Sequence, residues 1–154
     1  SEAKVWFGAQ PPDLTVIARS RASEAGSGAD WLYTYLRTFY RDPLRPTGWN
    51  NTTFPNVGMP HALWELQGEQ EMKAVTVRAN GYDASIEKLQ LVKPGKLSAL
   101  EYDSAVTDLV NYLVYMGEPA AKSRKNIGII VLGFLLLLIP LVYALKKEYW
   151  KDVH

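Results

Sequence analysis

The sequence predicts a mainly α-helical protein: one external domain of about 120 residues that includes a small β-hairpin, followed by a single C-terminal transmembrane helix. Three observations carry this. Residues 127–145 form a run of nineteen without a charge, long enough at ~1.5 Å per residue to cross a hydrocarbon core. Two stretches, 31–40 and 98–116, repeat their apolar residues with the spacing of a helix face. Two alternating stretches flank Asn80-Gly81, a hairpin turn signal.

In chain order, Gly8, Pro11, Pro12 and Asp13 make a stiff turn. Pro12 suits the start of a short helix through Leu14, Ile17 and Ala18 that ends near Arg21. Asp30 suits an N-cap for a helix over 31–40, in which Leu32, Tyr35, Leu36 and Phe39 fall at i, i+3, i+4 and i+7. From 42 to 60, four prolines, two glycines and three asparagines deny regular structure. Trp49, Phe54, Val57 and Met59 in this loop argue for order, because a disordered loop gains nothing from them. Residues 74–79 and 86–92 read as the hairpin strands. Ser98 and Glu101 form a capping box, and the following helix sets Tyr102, Val106, Leu109, Val110, Leu113 and Val114 on one face before stopping at Gly117. Lys122, Arg124 and Lys125 precede the apolar span, and Lys146 and Lys147 follow it, with Tyr143, Tyr149 and Trp150 suited to the headgroup layer. The expected organisation is a domain over 1–120, a linker over 121–126, the span over 127–145 and a tail over 146–154.

Charge and composition narrow the chemistry. Residues 1–120 hold 11 Lys and Arg against 14 Asp and Glu, so nothing invites nucleic acid. The chain has no cysteine, which excludes disulfides, thiolate metal sites and a C-x-x-C-H haem attachment within it. Its two histidines are His154, expected to be solvated, and His61, readable as a ligand or donor but more simply as a surface or satisfied histidine. Glu69 and Glu71 read as a solvated acidic patch, and a hydrolase has no residues to carry it. Met59, between Gly58 and Pro60 in the stiff loop, has a soft thioether that suits haem iron, although methionine among aromatics also fills cores. Trp6, Trp31, Trp49 and Phe54 could wall a macrocycle or simply pack a core, and Arg19 and Arg21 could pair with carboxylates.

The stretch Gly8-Ala9-Gln10-Pro11-Pro12-Asp13-Leu14-Thr15, with Ile17 and Arg21 after it, resembles a segment of the cytochrome c1 family, the haem subunits of ubiquinol:cytochrome c reductase. Asp30-Trp31-Leu32-Tyr33 is similar to the segment that brings an aromatic near the haem, and Asn56-Val57-Gly58-Met59-Pro60 to the loop that supplies the sixth iron ligand. Gly117-Glu118-Pro119, the apolar span and Lys147-Glu148-Tyr149-Trp150-Lys151 resemble the family's closing pattern. The resemblance implies a partial c-type cytochrome-like domain in which Met59 is the axial ligand. It sets Pro11, Pro12, Ile17, Trp31, Phe54 and Val57 against the haem and pairs Arg21 with a propionate. The family's C-x-x-C-H segment is absent, so the haem c would be attached by a segment outside this chain, either the preceding part of a longer protein or a separate polypeptide. The implied partners are cytochrome b, the Rieske iron-sulfur subunit, a cytochrome c-type acceptor and the lipid bilayer, with the domain in the periplasm and the tail in the cytoplasm of a bacterial inner membrane. Glu65, Glu69 and Glu71 are expected to offer an acidic surface to a basic partner. Quinol oxidation would belong to the complex rather than to this subunit. The competing reading is a haem-free, single-pass accessory subunit that stabilises a membrane assembly.

Overall fold

The computed structural model describes residues 5, 10–24, 26–79 and 82–151, and it divides into two units, residues 1–117 and 118–154. The first unit begins with the short helix α1 (Ile17–Ser20) and continues into α2 (Gly28–Arg37). The N-cap of α2 is Ser27, not Asp30. Its Oγ accepts from the Asp30 N–H at 3.1 Å and donates to Asp30 Oδ2 at 2.6 Å, so the aspartate occupies the third helical position of a reciprocal cap. The helix therefore starts nearly one turn earlier than expected and draws in Gly28. A Cβ at Gly28 would run into the Ala18 carbonyl of α1, so only glycine permits the two helices to approach this closely.

The helix stops at Arg37, short of Tyr40, and the chain becomes β1 (Phe39–Arg41), paired antiparallel with β2 (Trp49–Asn51). The expectation that 42–60 lacks regular structure is corrected here, because β2 lies inside it. The aromatic residues at its outer pairs favour a strand, and the turns between fit the Asp, Pro and Gly residues of 42–48. After a further short helix, α3 (Trp64–Gln67), the hairpin forms from β3 (Gly68–Ala79) and β4 (Tyr82–Pro94). It is much longer than the two expected strands. Several of its additional pairs, such as Glu69 with Lys93 and Lys73 with Lys88, are polar and interrupt the apolar alternation. The Asn80-Gly81 turn lies outside the described residues. Gln70 Nε2 ties the base of the hairpin to the Arg37 and Phe39 carbonyls at 2.9 and 3.0 Å.

Helix α4 (Ala99–Gly117) begins as expected. The Ser98 N–H and Oγ both donate to Glu101 Oε2, at 2.9 and 2.7 Å, and these bonds hold the Glu101 carboxyl below its ordinary pKa. Tyr102, Val106 and Val110 bury the seam of α4 against Leu32, Tyr35 and Leu36 of α2, with Ala18, Phe39, Trp49 and Val57 completing the core. Each large apolar side chain so buried contributes about 1.5–3 kcal/mol. Leu109 and Val114, expected on the same face, are exposed: Leu109 falls beside the i, i+4, i+8 row that forms the seam, and Val114 continues that row one turn beyond its last buried residue. The Tyr102 hydroxyl donates to the Leu36 carbonyl at 2.9 Å, and Arg37 pairs with Asp103 at 2.6 Å.

The second unit is dominated by α5 (Ala121–Tyr149), 29 residues that include 121–126 and enclose the apolar span. Its most apolar window has a mean hydropathy of 2.8, and its apolar side chains face outward, the arrangement of a single-pass membrane helix. Pro140 leaves the Leu136 carbonyl without its helical donor. Half-helical, with small antiparallel strand pairs and one apolar C-terminal helix, the chain has the predicted fold class.

Candidate functional site

Three pieces of chain build the site. The end of α1 delivers Arg21, α2 delivers Trp31 and Tyr35 one turn apart, and the loop after β2 delivers Phe54, Val57 and Met59. This loop is held by side-chain to backbone hydrogen bonds instead of a ladder. Asn51 Oδ1 accepts from the N–H groups of Thr53 and Phe54 at 2.9 and 3.1 Å, while its Nδ2 donates to the Tyr35 carbonyl at 2.7 Å. Asn50 Oδ1 accepts from the Asn51 and Asn56 N–H groups at 2.9 and 2.8 Å, and its Nδ2 donates to Asp42 at 2.9 Å. Asn56 adopts the left-handed φ of +62°, which asparagine tolerates, and Arg45 donates to both its side-chain and main-chain oxygens at 3.1 and 2.9 Å. Backbone groups that a proline-rich loop leaves without regular partners are thus satisfied by fixed amides.

On this frame Arg21, Trp31, Phe54 and Met59 converge. The Arg21 guanidinium carbon lies 4.5 Å from the Trp31 ring centroid and 5.5 Å from that of Phe54. Trp31 stacks on Tyr35 at 4.9 Å and meets Phe54 edge-on at 6.4 Å, and the Tyr35 hydroxyl donates to Met59 Sδ at 3.4 Å. Met59 is 40% exposed and Phe54 44%, so the thioether and one ring stand at an open face, while Val57, 4% exposed, lies in the core. Ile17 packs against the core from α1, and Pro11 and Pro12 are exposed. Burial raises the Tyr35 hydroxyl above its ordinary pKa, against the pull of the Arg21 cation. Arg21 Nε is buried without a hydrogen-bond partner. Sequence reasoning treated Tyr35 as core and overlooked Asn50, Asn51 and Arg45 as supports. The adjacent asparagines ahead of a proline were the available signal.

His61 is not on the surface, which corrects that half of the sequence expectation. It is 2% exposed, stacked on Phe39 at 4.8 Å and edge-on to Trp49 at 5.1 Å, with no hydrogen-bond partner on Nε2. Burial pushes its pKa down to about 4, so it is neutral at physiological pH. Trp6 and His154 lie outside the described residues. The expected acidic surface is partly neutralised within the chain: Glu65 pairs with Lys96 at 2.5 Å, and Glu69 with Arg41 and Lys93 at 3.0 and 3.3 Å. These partners lower both carboxyl pKa values. Among the described residues no cluster of three His, Asp or Glu suits a metal.

The profile of the Cytochrome C1 family matches residues 98–153. A protein called cytochrome c1 from Allochromatium vinosum is 50% identical over 153 residues, covering 99% of this chain and 60% of its own length. The chain belongs to the cytochrome c1 family. Its sequence corresponds to the C-terminal portion of cytochrome c1, and it spans about three fifths of the length of this relative. A Nitrosomonas europaea protein called ammonia monooxygenase gamma subunit is 52% identical over 99% of the chain and 58% of its own length. Cytochrome c1 of Rhodospirillum rubrum is 30% identical over 95% of the chain and 52% of its own length.

Cytochrome c1 implies a haem c, and the residues here fit one. A soft thioether at an open face, an aromatic wall beside it and a guanidinium with an unpartnered Nε form a set suited to iron, a flat macrocycle and its carboxylates.

Proposed function

We propose that this chain is the C-terminal part of a membrane-anchored electron-transfer subunit and supplies the axial methionine and one wall of the crevice for a c-type haem. The observation that carries the reading is the half-exposed Met59 thioether, set in a pinned loop beside the Arg21, Trp31 and Phe54 cluster. A haem of this kind, when bound, carries one electron at a time. Met59 would donate a sulfur lone pair to its iron, Arg21 would pair with a propionate carboxylate, and Trp31, Phe54 and Val57 would keep water from its face, with Ile17, Pro11 and Pro12 along the same side. Electrons would arrive from a Rieske iron-sulfur subunit and leave to a cytochrome c-type acceptor, alongside cytochrome b. The domain would face the periplasm, with α5 crossing the inner membrane into the cytoplasm.

The test is an oxidised and reduced absorption spectrum of the protein purified with its membrane partners. The weak charge-transfer band of methionine bound to ferric iron is expected, and Met59→Leu should abolish it and lower the reduction potential substantially. A band that survives in Met59→Leu would reject the ligand assignment. The absence of any haem signal from this subunit would favour the accessory-subunit reading. The same purification identifies the complex, and co-purification with a monooxygenase would follow the name of the Nitrosomonas relative instead.

A further inference from the structure

We propose that Tyr35 is a positioning residue that aims the Met59 sulfur and reduces its electron donation, thereby raising the reduction potential of the metal it serves. The inference rests on Met59 being the ligand. A methionine side chain has three rotatable bonds, and one that is 40% exposed has too few neighbours to fix them by packing. The Tyr35 hydroxyl supplies what packing does not, donating to Met59 Sδ at 3.4 Å.

That hydroxyl is itself rigidly held. The Tyr35 ring is buried, stacked on Trp31 at 4.9 Å and met edge-on by Phe39 at 5.0 Å. Its own carbonyl accepts from Asn51 Nδ2 at 2.7 Å, and Asn51 Oδ1 holds the Thr53 and Phe54 N–H groups of the loop that carries Met59. One asparagine therefore fixes the donor's backbone and the start of the acceptor's loop, so the distance between hydroxyl and sulfur is set from both sides.

The electronic consequence follows from valence. A thioether sulfur has two lone pairs. With one accepting from Tyr35, the other is left for a metal, and the hydrogen bond draws density from both. A poorer sulfur donor stabilises ferric iron less than ferrous iron, which favours the reduced state. Hydrogen bonds to ligand atoms are a recognised means by which a protein tunes its metal.

The experiment is a redox titration with optical spectra on the haem-loaded protein in its native membrane complex, comparing wild type, Tyr35→Phe and Met59→Leu. Phenylalanine keeps both ring contacts and removes only the donor. Tyr35→Phe should retain the charge-transfer band while the ferric-to-ferrous ratio at a fixed applied potential rises by roughly 2- to 10-fold, the equilibrium worth of one net hydrogen bond. A 3-fluorotyrosine introduced at position 35, a stronger donor in the same fold, should shift the ratio the opposite way. An unchanged ratio in both, with the band lost in Met59→Leu, would overturn the role of Tyr35 and leave the ligand assignment intact. A band that persists in Met59→Leu would overturn the ligand assignment and this inference with it.

Discussion

The loop over 42–60 buries all three residues of its short strand, Trp49, Asn50 and Asn51, and Val57 beyond it. The hairpin runs through strands of 12 and 13 residues, yet most of the side chains described on it are exposed, on β4 nearly all of them. Regular hydrogen bonding and burial are thus separate resources in this domain. The hairpin satisfies its backbone by a ladder and buries little. Beyond β2 the loop lacks a ladder, and asparagine and arginine side chains satisfy its backbone and hold it where Val57 enters the core. Rigidity at the candidate site comes from the second device.

Removing Asn51 should do the most to break this contrast. Asn51→Ala withdraws four hydrogen bonds, those with the Tyr35 carbonyl, the Thr53 and Phe54 N–H groups and the Thr38 hydroxyl, and should cost about 3 kcal/mol of stability, read by urea unfolding followed by tryptophan fluorescence. It should also weaken the charge-transfer band, because Tyr35 and Met59 lose their shared support. A loss below about 0.5 kcal/mol would mean that the loop is held by packing alone.

His61, just beyond the loop, tests the burial side by pH. Its folded pKa of about 4 lies below the unfolded value of 6.5. Between these values the unfolded chain takes up a proton that the folded chain refuses, so stability should be full above pH 6.5 and fall as pH drops toward 4. The contribution at stake is on the order of 3 kcal/mol. His61→Phe should flatten that part of the stability profile, and an unchanged slope would place the proton uptake elsewhere.

Arg45→Met should have an intermediate effect, about 1 kcal/mol of destabilisation. It loses two bonds to Asn56, but it also removes a buried Nε that has no partner. The smallest effect is expected from shortening the hairpin. Deleting 74–79 and 82–87 joins Lys73 and Lys88 through Asn80-Gly81 in the same pairing phase and should change stability by less than about 1 kcal/mol. A large loss there would show that the outer hairpin has a packing partner.

How much of this was legible in the sequence follows the same division. The α4 capping box and the nineteen-residue apolar run could be read because their signals are local in the chain. The convergence of Arg21, Trp31, Phe54 and Met59 was readable only through family resemblance, since no spacing rule links residues so far apart. Tyr35 was legible as a core position but not as a donor to sulfur, because periodicity registers the ring and ignores the hydroxyl. The length of the hairpin was hidden by its polar pairs. The burial of His61 was hidden because the aromatics that enclose it, Phe39 and Trp49, come from β1 and β2, neither of which was expected. Lys96 and Lys93 are distant in sequence from the glutamates they neutralise, so Glu65 and Glu69 read as free charge.

The close approach of α1 to α2 at Gly28 has a consequence for the cluster it leads to. Arg21 follows α1 and Trp31 rides on α2, so the contact between Gly28 and the Ala18 carbonyl sets the gap that the guanidinium must bridge to reach the indole. The spacing of cation and ring is gauged by a single hydrogen atom on an α-carbon, and one methyl group added there would wedge the two helices apart and widen that gap.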